Sequence, residues 1–287
     1  MTGPPTVRVA VSNHPDNVAL VRAVLAGLAP VVGFDDALDD VKAAVSEACN
    51  NVVTHAYDGD EGPLEVDIHL LREELEVVVR DRGVGLSARA TEGGDSSQGL
   101  GSGLGFSVME ALADQLELRP VEPGGTEVAM SFRLRAPPAL PEMPGDPPGF
   151  ESLREDAGTI QVAVSPASLG AGVFARLMSA AAARAGFSID RLSDAQLLAD
   201  SLTGHVEPLL SGSGVCFGIG VGERSLEIEL GPLRQGGARI AVADSAIADL
   251  GPLIETLAEE IDASPRSEGE MLAMVMRDRP PRRTPAG

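Results

Sequence analysis

Apolar positions along the first half of the chain switch between helical and strand periodicity. Residues 17–28 and 40–55 carry apolar side chains at helical spacing, and a third helical segment spans 106–115. Short apolar or alternating runs predict strands at 7–11, 64–71, 75–80 and 127–135. The pattern therefore predicts an α+β fold in which the second and third strands form a hairpin.

The second half of the chain repeats this order of elements. Residues 160–164 correspond to 7–11, and 171–185 correspond to the first helix. The segment 269–277 matches 125–133 at Gly, Ala, Met and Arg. Because the order and several offsets agree, we interpret the chain as an internal duplication. Two unrelated α/β domains that share only their periodicity are the alternative.

Prolines concentrate between the two halves, over residues 136–150. A stretch of this kind neither pairs in a sheet nor continues a helix, so we expect a semi-rigid linker. The linker divides the chain into a first domain, 1–135, and a second domain, 151–279. The last residues, 280–287, are expected to form a disordered tail.

Composition and charge narrow the classes of function. The chain has 287 residues, which suits two domains, and its formal net charge is -21. Phosphate backbones repel so acidic a chain, which argues against direct nucleic-acid binding but not against binding one nucleotide. Two cysteines far apart in sequence fit neither a disulfide framework nor a zinc site. Without a signal-like N-terminus or an apolar run of about 20 residues, we expect a cytoplasmic protein with no membrane partner.

Three segments of the first half carry candidate chemistry, and the first lies on the second predicted helix. Glu47, Asn51 and His55 are spaced i, i+4, i+8 and so share one helix face. A carboxylate and a carboxamide one turn apart can hold a magnesium ion together with a water or hydroxyl group. Taken alone, the segment is explained more simply as a solvated polar face.

The second segment is Asp81-Arg-Gly-Val-Gly85, directly after a predicted strand. Its carboxylate can accept a hydrogen bond from an exocyclic amine such as that of adenine. The glycines let the backbone turn tightly and approach a ligand closely. An ordinary surface turn is the simpler interpretation of this segment in isolation.

The third segment is Gly99-Leu-Gly-Ser-Gly-Leu-Gly105, which precedes a predicted helix. Alternating glycines leave backbone N–H groups free to converge on an anion, and the helix N-terminus adds partial positive charge. A flexible loop is the alternative for this segment alone.

The order and spacing of these segments, with Gly124-Gly125-Thr126 before the last strand, are more specific than any one of them. Together they resemble the N, G1, G2 and G3 boxes of the GHKL (Bergerat) ATP-binding fold, a two-layer α/β sandwich. Ser46-Glu-Ala-Cys-Asn-Asn51-Val-Val-Thr-His55-Ala-Tyr57 and Gly103-Leu-Gly105-Phe106-Ser-Val-Met-Glu110 resemble the anti-sigma-factor serine/threonine kinases of bacterial partner-switching systems. The resemblance covers about residues 5–135.

The resemblance implies a role for each matched residue. Glu47 corresponds to the general base that takes a proton from the substrate hydroxyl, and Asn51 to the magnesium ligand. Asp81 corresponds to the carboxylate that reads adenine, and Thr126 to the hydroxyl that supports it. The other matched residues shape the adenine pocket or form the lid over the phosphates: Gly83, Gly85, Gly101, Ser102, Gly103, Leu104 and Gly105. ATP and Mg²⁺ are the implied cofactors, since phosphoryl transfer needs mainly positioning and charge neutralisation.

One position departs from the family pattern. Relatives of this kinase type often carry an arginine just before the Ser-Gly-x-Gly of the lid, where it reaches the terminal phosphate. Here that position is Gly101. Loss of such a charge lowers the rate of phosphoryl transfer by orders of magnitude and leaves ATP binding intact.

The second half lacks these motifs altogether. Asp200, Gly204 and Pro232 stand at the positions of Glu47, Asn51 and Asp81. We therefore expect a degenerate pseudo-domain that does not bind ATP. Because kinases of this family act as homodimers, we expect it to take the place of a partner subunit and make the chain a monomeric pseudo-dimer.

The resemblance implies that the ATP-bound kinase sequesters a sigma factor and phosphorylates a small antagonist protein of the anti-sigma factor. The alternative is an ATP-gated partner switch that transfers phosphate slowly or not at all, which Gly101 and the degenerate half favour. A histidine-kinase catalytic part or a mechanical ATPase is a third possibility. The sequence shows no phosphoacceptor-histidine hairpin, sensor or transducer domain that would support it.

Overall fold

A computed structural model of the protein describes residues 4–85, 104–134, 146–153, 159–247 and 251–278. The predicted lid residues Gly101, Ser102 and Gly103, most of the predicted linker and the tail 280–287 lie outside these ranges. The described part of the chain forms one ten-stranded antiparallel sheet, with helices packed on one face.

The described residues of the first half form five strands and three α-helices of this architecture. In chain order they are β1 (Thr6–Ser12), α1 (Asn17–Val32), α2 (Leu38–His55), β2 (Pro63–Leu70), β3 (Glu74–Asp81), α3 (Leu104–Leu112), β4 (Gln115–Pro120) and β5 (Thr126–Arg133). The strand order is β1-β2-β3-β5-β4. On β2, every second residue from Leu64 to Leu70 is buried against the helices. The predicted two-layer α+β fold is confirmed for this half.

Helices α1 and α3 and strand β4 differ from the prediction. Helix α1 runs past Pro30 to Val32, because its last turn still buries Leu28, Ala29 and Val32. It ends at Gly33, whose φ of 81° is the left-handed conformation that glycine adopts without strain. Helix α3 ends at Leu112, and the unpredicted strand β4 follows; no residue of β4 is fully buried, and only Leu116 and Leu118 mark its apolar side.

The second half has the same order of main elements. They are β6 (Ile160–Ser165), α4 (Gly170–Arg184), α5 (Ile189–His205), β7 (Val215–Gly222), β8 (Ser225–Leu233), α6 (Gly237–Asp244), β9 (Ala246–Ile247), β10 (Gly251–Pro252), α7 (Leu253–Leu257), β11 (Glu260–Arg266) and β12 (Gly269–Arg277). In the main sheet the order is β6-β7-β8-β12-β11, which mirrors the first half. Gly186 ends α4 with a φ of 74°, as Gly33 ends α1.

The two halves join through an antiparallel pairing of β1 with β6. Val9 lies opposite Val162, and on either side Val7 pairs with Val164 and Val11 with Ile160. Residues 7–11 correspond in sequence to 160–164. Val7 therefore faces the counterpart of Val11, Val11 faces the counterpart of Val7, and Val9 faces its own counterpart. The pairing therefore has the symmetry of a two-fold axis that passes between Val9 and Val162.

Helices α1 and α4 cross above this seam with their backbones in contact. A Cβ atom added at Gly27 would lie 2.3 Å from the carbonyl oxygen of Gly172. The reverse addition at Gly172 would place a Cβ 2.4 Å from the carbonyl oxygen of Gly27. Only glycine fits at either position at this separation.

Residues 146–153 lie on the sheet face opposite the helices. Phe150 and Leu153 pack there against Ala163, Cys216 and Met271. Residues 146–150, which the sequence assigns to the linker, therefore contact the sheet of the second half. No helix in the described ranges is long and apolar enough to cross a membrane.

Candidate functional site

Helix α2 presents a polar face beside its buried apolar stripe. Val45, Ala48 and Val52 are buried in the core. Glu47 and Asn51 are half-buried one turn apart, and His55 is exposed at the helix end. The helix thus places a carboxylate and a carboxamide at the edge of the core, as their i, i+4 spacing predicts.

Asp81 is the last residue of β3 and is 5% exposed. Its Oδ1 accepts a hydrogen bond from the backbone N–H of Gly83 at 2.9 Å. Strand β5 is the neighbour of β3, and Arg80 pairs with Glu127. The register therefore brings Asp81 beside Thr126, which is 8% exposed at the start of β5.

Three glycines allow the backbone segments around Asp81 to approach one another. A Cβ at Gly83 would lie 2.0 Å from the carbonyl oxygen of Ala56, and one at Gly125 would lie 2.2 Å from that of Asp81. Gly85 has a φ of 70° and backs onto Gly125, whose φ is 123°. The glycines predicted for close approach are thus used to pack the turn after β3 against α2 and the turn before β5.

A small cavity lies between α2, the turn after β3, α3 and β5. It has a volume of about 30 Å³, room for about one or two water molecules. Asn51, Asp81, Gly85 and Thr126 reach it from three separate parts of the sequence. A nucleotide base is larger than this space, so its entry requires the walls to open.

The start of α3 lies against the polar face of α2. A Cβ at Gly105 would lie 2.7 Å from Glu47 Oε2 and 3.8 Å from Asn51 Oδ1. Leu104 is the first residue of the helix. The third motif thus meets the first, while Gly101, Ser102 and Gly103 lie outside the described residues.

Sequence reasoning gave no role in the site to the apolar residues that line the cavity. These are Ala48, Val52, Ala56, Val84, Met109, Leu118 and Val128. Met109 on α3 is buried, and Leu118 belongs to the strand that the sequence did not predict. Met109 and Val128 could have been found from the periodicity of their elements, since both positions fall on the apolar side.

The protein matches known proteins through this half. Residues 11–132 match the model of the histidine kinase-like ATPase domain. The serine-protein kinase RsbW of Halalkalibacterium halodurans is 33% identical over 141 residues, which are 46% of this chain and 85% of that protein. RsbW of Bacillus subtilis is 33% identical over 143 residues, 45% of this chain and 85% of the relative. The chain belongs to the RsbW family of serine-protein kinases.

Membership of the RsbW family agrees with the motifs from which the GHKL-type ATP-binding fold was predicted. RsbW of Listeria innocua is also similar, at 39% identity over 114 residues, 36% of this chain and 73% of that protein. Each of these matches covers less than half of the chain, and the domain match lies within the first half. The prediction of a GHKL-type kinase is confirmed, and the histidine-kinase interpretation gains no support.

The second half of this RsbW-family chain differs from the first at the positions that correspond to Glu47, Asn51, Asp81 and Thr126. Pro232 stands near the end of β8, where β3 has Asp81. Helix α5 has the same pattern of buried residues as α2, but the pattern lies one residue further along the chain than the sequence comparison placed it. Its buried residues are Ala195, Leu198, Ala199 and Leu202. The structure therefore corrects the correspondence between the halves. The counterparts of Glu47 and Asn51 on α5 are Ser201 and His205, and not Asp200 and Gly204.

Helix α6 has no counterpart among the described residues of the first half, and a carboxylate binds its N-terminus. Glu270 Oε1 accepts from the N–H of Gly236 at 2.8 Å, and Oε2 accepts from that of Ala238 at 3.3 Å. Glu270 is the second residue of β12 and Thr126 is the first residue of β5, so both lie at the start of equivalent strands. The chain's own anion therefore occupies the helix N-terminus at this corner of the second half.

Proposed function

We propose that the chain is an ATP-dependent protein-serine/threonine kinase that phosphorylates an anti-sigma-factor antagonist and sequesters a sigma factor. The observation that carries the proposal is the shared cavity of Asn51, Asp81 and Thr126, with Glu47 beside it against Gly105. Kinase activity follows from the RsbW family, whose named members are serine-protein kinases. The sigma factor, the antagonist and a cytoplasmic location rest on the sequence resemblance.

The proposed roles follow the chemistry of each side chain. Glu47 takes the proton from the substrate hydroxyl, whose oxygen then bonds to the terminal phosphorus of ATP while the bond to the ADP oxygen breaks. Asp81, nearly buried and acceptor-only when ionised, receives the adenine amine. Thr126 supports that contact. The glycines Gly83 and Gly85 shape the base pocket, and Gly101, Ser102, Gly103, Leu104 and Gly105 form the lid over the phosphates.

The donor set fits a magnesium nucleotide. Asn51 lines the cavity and supplies a carboxamide oxygen, a ligand that this hard cation accepts. The described residues contain no group of three or more His, Cys, Asp or Glu side chains that would hold an ion alone. Mg²⁺ would therefore take its other ligands from phosphate and water, and it would neutralise charge on the phosphates.

The second candidate is an ATP-gated binding module that transfers phosphate slowly or not at all. It is favoured by Gly101, where an arginine would reach the terminal phosphate. Both candidates use the same nucleotide pocket. They differ only in the rate of phosphoryl transfer.

We also propose that the second half is a degenerate copy that replaces a partner subunit, so that one chain is a monomeric pseudo-dimer. The mirrored strand order and the symmetric register about Val9 and Val162 support this interpretation. Pro232, and Glu270 bound to the N-terminus of α6, argue against a nucleotide in this half. The working site is then single and lies in the first half.

Transfer of labelled phosphate from ATP to the cognate antagonist protein tests the kinase proposal. The wild-type chain is expected to label the antagonist, and Glu47→Ala is expected to bind ATP but not to label it. Glu110→Ala, an exposed carboxylate on α3, is a control that should label normally. ATP binding without any labelling by the wild-type chain would favour the binding module.

A further inference from the structure

The residues that follow α2 hold the Asp81 turn from outside the pocket. The hydroxyl of Tyr57 accepts a hydrogen bond from the backbone N–H of Arg82 at 2.8 Å. The same hydroxyl donates to the carbonyl oxygen of Pro63 at 2.5 Å. One side chain thus joins the residue after Asp81 to the first residue of β2.

Ala56 completes this attachment on the other side of Gly83. Its carbonyl oxygen accepts from the backbone N–H of Val84 at 2.9 Å. The backbone on both sides of Gly83 is therefore tied to the end of α2, through Arg82 and Val84. The Asp81 carboxylate accepts from the N–H of Gly83, so its direction depends on this same short segment.

The ring of Tyr57 is itself fixed. A Cβ atom at Gly62 would lie 2.2 Å from the ring, so the ring packs directly on the glycine backbone. Burial raises the pKa of Tyr57; the Arg82 hydrogen bond opposes this, and the charge of Asp81 adds to it. The hydroxyl therefore keeps its proton at neutral pH and can donate to Pro63 while it accepts from Arg82.

We propose that Tyr57 is a positioning residue for base recognition. Its hydroxyl fixes the backbone at Arg82 and so fixes the direction in which the Asp81 carboxylate meets the amine of the base. This inference rests on the proposed function, which assigns adenine recognition to Asp81. It adds a specificity-determining contact that touches neither nucleotide nor substrate.

The expected consequence is a change in selectivity rather than a general loss of binding. Purine riboside triphosphate is ATP without its 6-amino group, so it cannot donate to Asp81. Tyr57→Phe keeps the ring on Gly62 and removes only the hydroxyl. We expect it to weaken ATP binding about fivefold, the size of one lost hydrogen bond, and to leave the affinity for the amine-free analogue unchanged. The kcat at saturating ATP is expected to stay the same.

The experiment is calorimetric titration of the full chain with the magnesium complexes of ATP and of the analogue. Thr203→Ala is the matched control, because it removes a hydroxyl that donates to Ala199 within α5. Both nucleotides should bind it as they bind the wild-type chain. Gly62→Ala pushes the Tyr57 ring away and is expected to reproduce the selectivity change of Tyr57→Phe.

The outcomes separate this inference from the proposed function. A Tyr57→Phe chain that prefers ATP over the analogue as strongly as the wild type overturns the positioning role and leaves the kinase proposal intact. Equal weakening of both nucleotides with a lower Tm also overturns it, because that is the result of a purely structural contact. A wild-type chain that binds ATP no better than the analogue overturns the assignment of Asp81, and the role of Tyr57 with it.

Discussion

Val9 and Val162 face each other at the centre of the seam between β1 and β6. Their neighbours pair symmetrically, which is the geometry of an isologous contact, here made within one chain. Strand β1 also pairs with β2 on its other side. Neither edge of β1 is then available for pairing with a second copy of the protein.

We expect the chain to be a monomer of 29.6 kDa in solution. The surface that a symmetric dimer would use at this edge is already covered by β6 and α4. Light scattering coupled to size-exclusion chromatography measures the mass directly. A tight homodimer that exchanges β1 or α1 contacts between chains would contradict the pseudo-dimer proposal.

Replacing Gly27 with alanine should destabilise the contact between α1 and α4. The added Cβ would lie 2.3 Å from the carbonyl oxygen of Gly172, so the helices must separate. We expect the free energy of unfolding to fall by about 1–3 kcal/mol, as for overpacking in a core. Chemical denaturation measures this loss.

Gly204→Ala is the matched control for this substitution. Gly204 lies on helix α5, and a Cβ there would have no atom within 4 Å. Alanine has the higher helix propensity, so this variant should be as stable as the wild type or more stable by up to about 1 kcal/mol. Equal effects of the two substitutions would show that the helix contact is not close-packed.

Local patterns predicted the elements that bury one clear stripe. Helix α2 and the hairpin of β2 and β3 follow from periodicity, and the i, i+4 spacing of Glu47 and Asn51 correctly placed both on one face. Strand β4 was not predicted, because it is only six residues long and alternates over just two apolar positions, Leu116 and Leu118, neither of them fully buried. Helix α1 passes Pro30 because tertiary packing of Val32 outweighs the local preference.

Long-range relationships in the site and the seam could not be predicted from the pattern alone. The proximity of Asp81 and Thr126 depends on the register of β3 and β5, which are separated by more than 40 residues of chain. The pairing of β1 with β6 joins two similar valine-rich strands, and their alternation does not specify the partner. Resemblance to a known family supplied the grouping of the motifs that periodicity could not.

Glu270→Gln should destabilise the second half without changing nucleotide binding. The carboxylate accepts two backbone N–H groups at the N-terminus of α6, and the neutral amide loses the charge that complements this helix end. We expect a loss of about 1 kcal/mol in the free energy of unfolding. Glu223→Gln, an exposed carboxylate in the hairpin of β7 and β8, should have no effect. A gain of a second ATP site in Glu270→Gln would contradict the view that this half has lost nucleotide binding.

The two cysteines should be unreactive in the native protein. Both are buried, and burial raises the pKa of Cys49 and of Cys216 to about 12. The raised pKa keeps each thiol protonated at pH 8, where only about one in ten thousand would be thiolate. A thiol reagent should therefore modify no cysteine in the native chain and both cysteines after denaturation.

Because Cys49 lies in the first half and Cys216 in the second, they also report whether the halves unfold together. The continuous sheet across the seam predicts that both become reactive over the same range of denaturant concentration. Mass spectrometry of the labelled peptides distinguishes them. Exposure of Cys216 well before Cys49 would show that the seam couples the halves only weakly.

Each chain should bind a single magnesium–ATP, and Asp81→Asn should weaken that binding. The carboxamide has nearly the shape of the carboxylate, but it replaces one acceptor by a donor that faces the donor amine of adenine. Asp81 is 5% exposed, so no solvent compensates for the mismatch. We expect an affinity at least tenfold lower, since a buried donor opposite a donor leaves both groups unsatisfied.

Calorimetry gives both the affinity and the stoichiometry. Asp200→Asn, which makes the same change on the exposed face of α5, should bind one ATP normally. Two sites per chain would show that the second half also binds a nucleotide. Undiminished binding by Asp81→Asn would show that the adenine base does not contact Asp81.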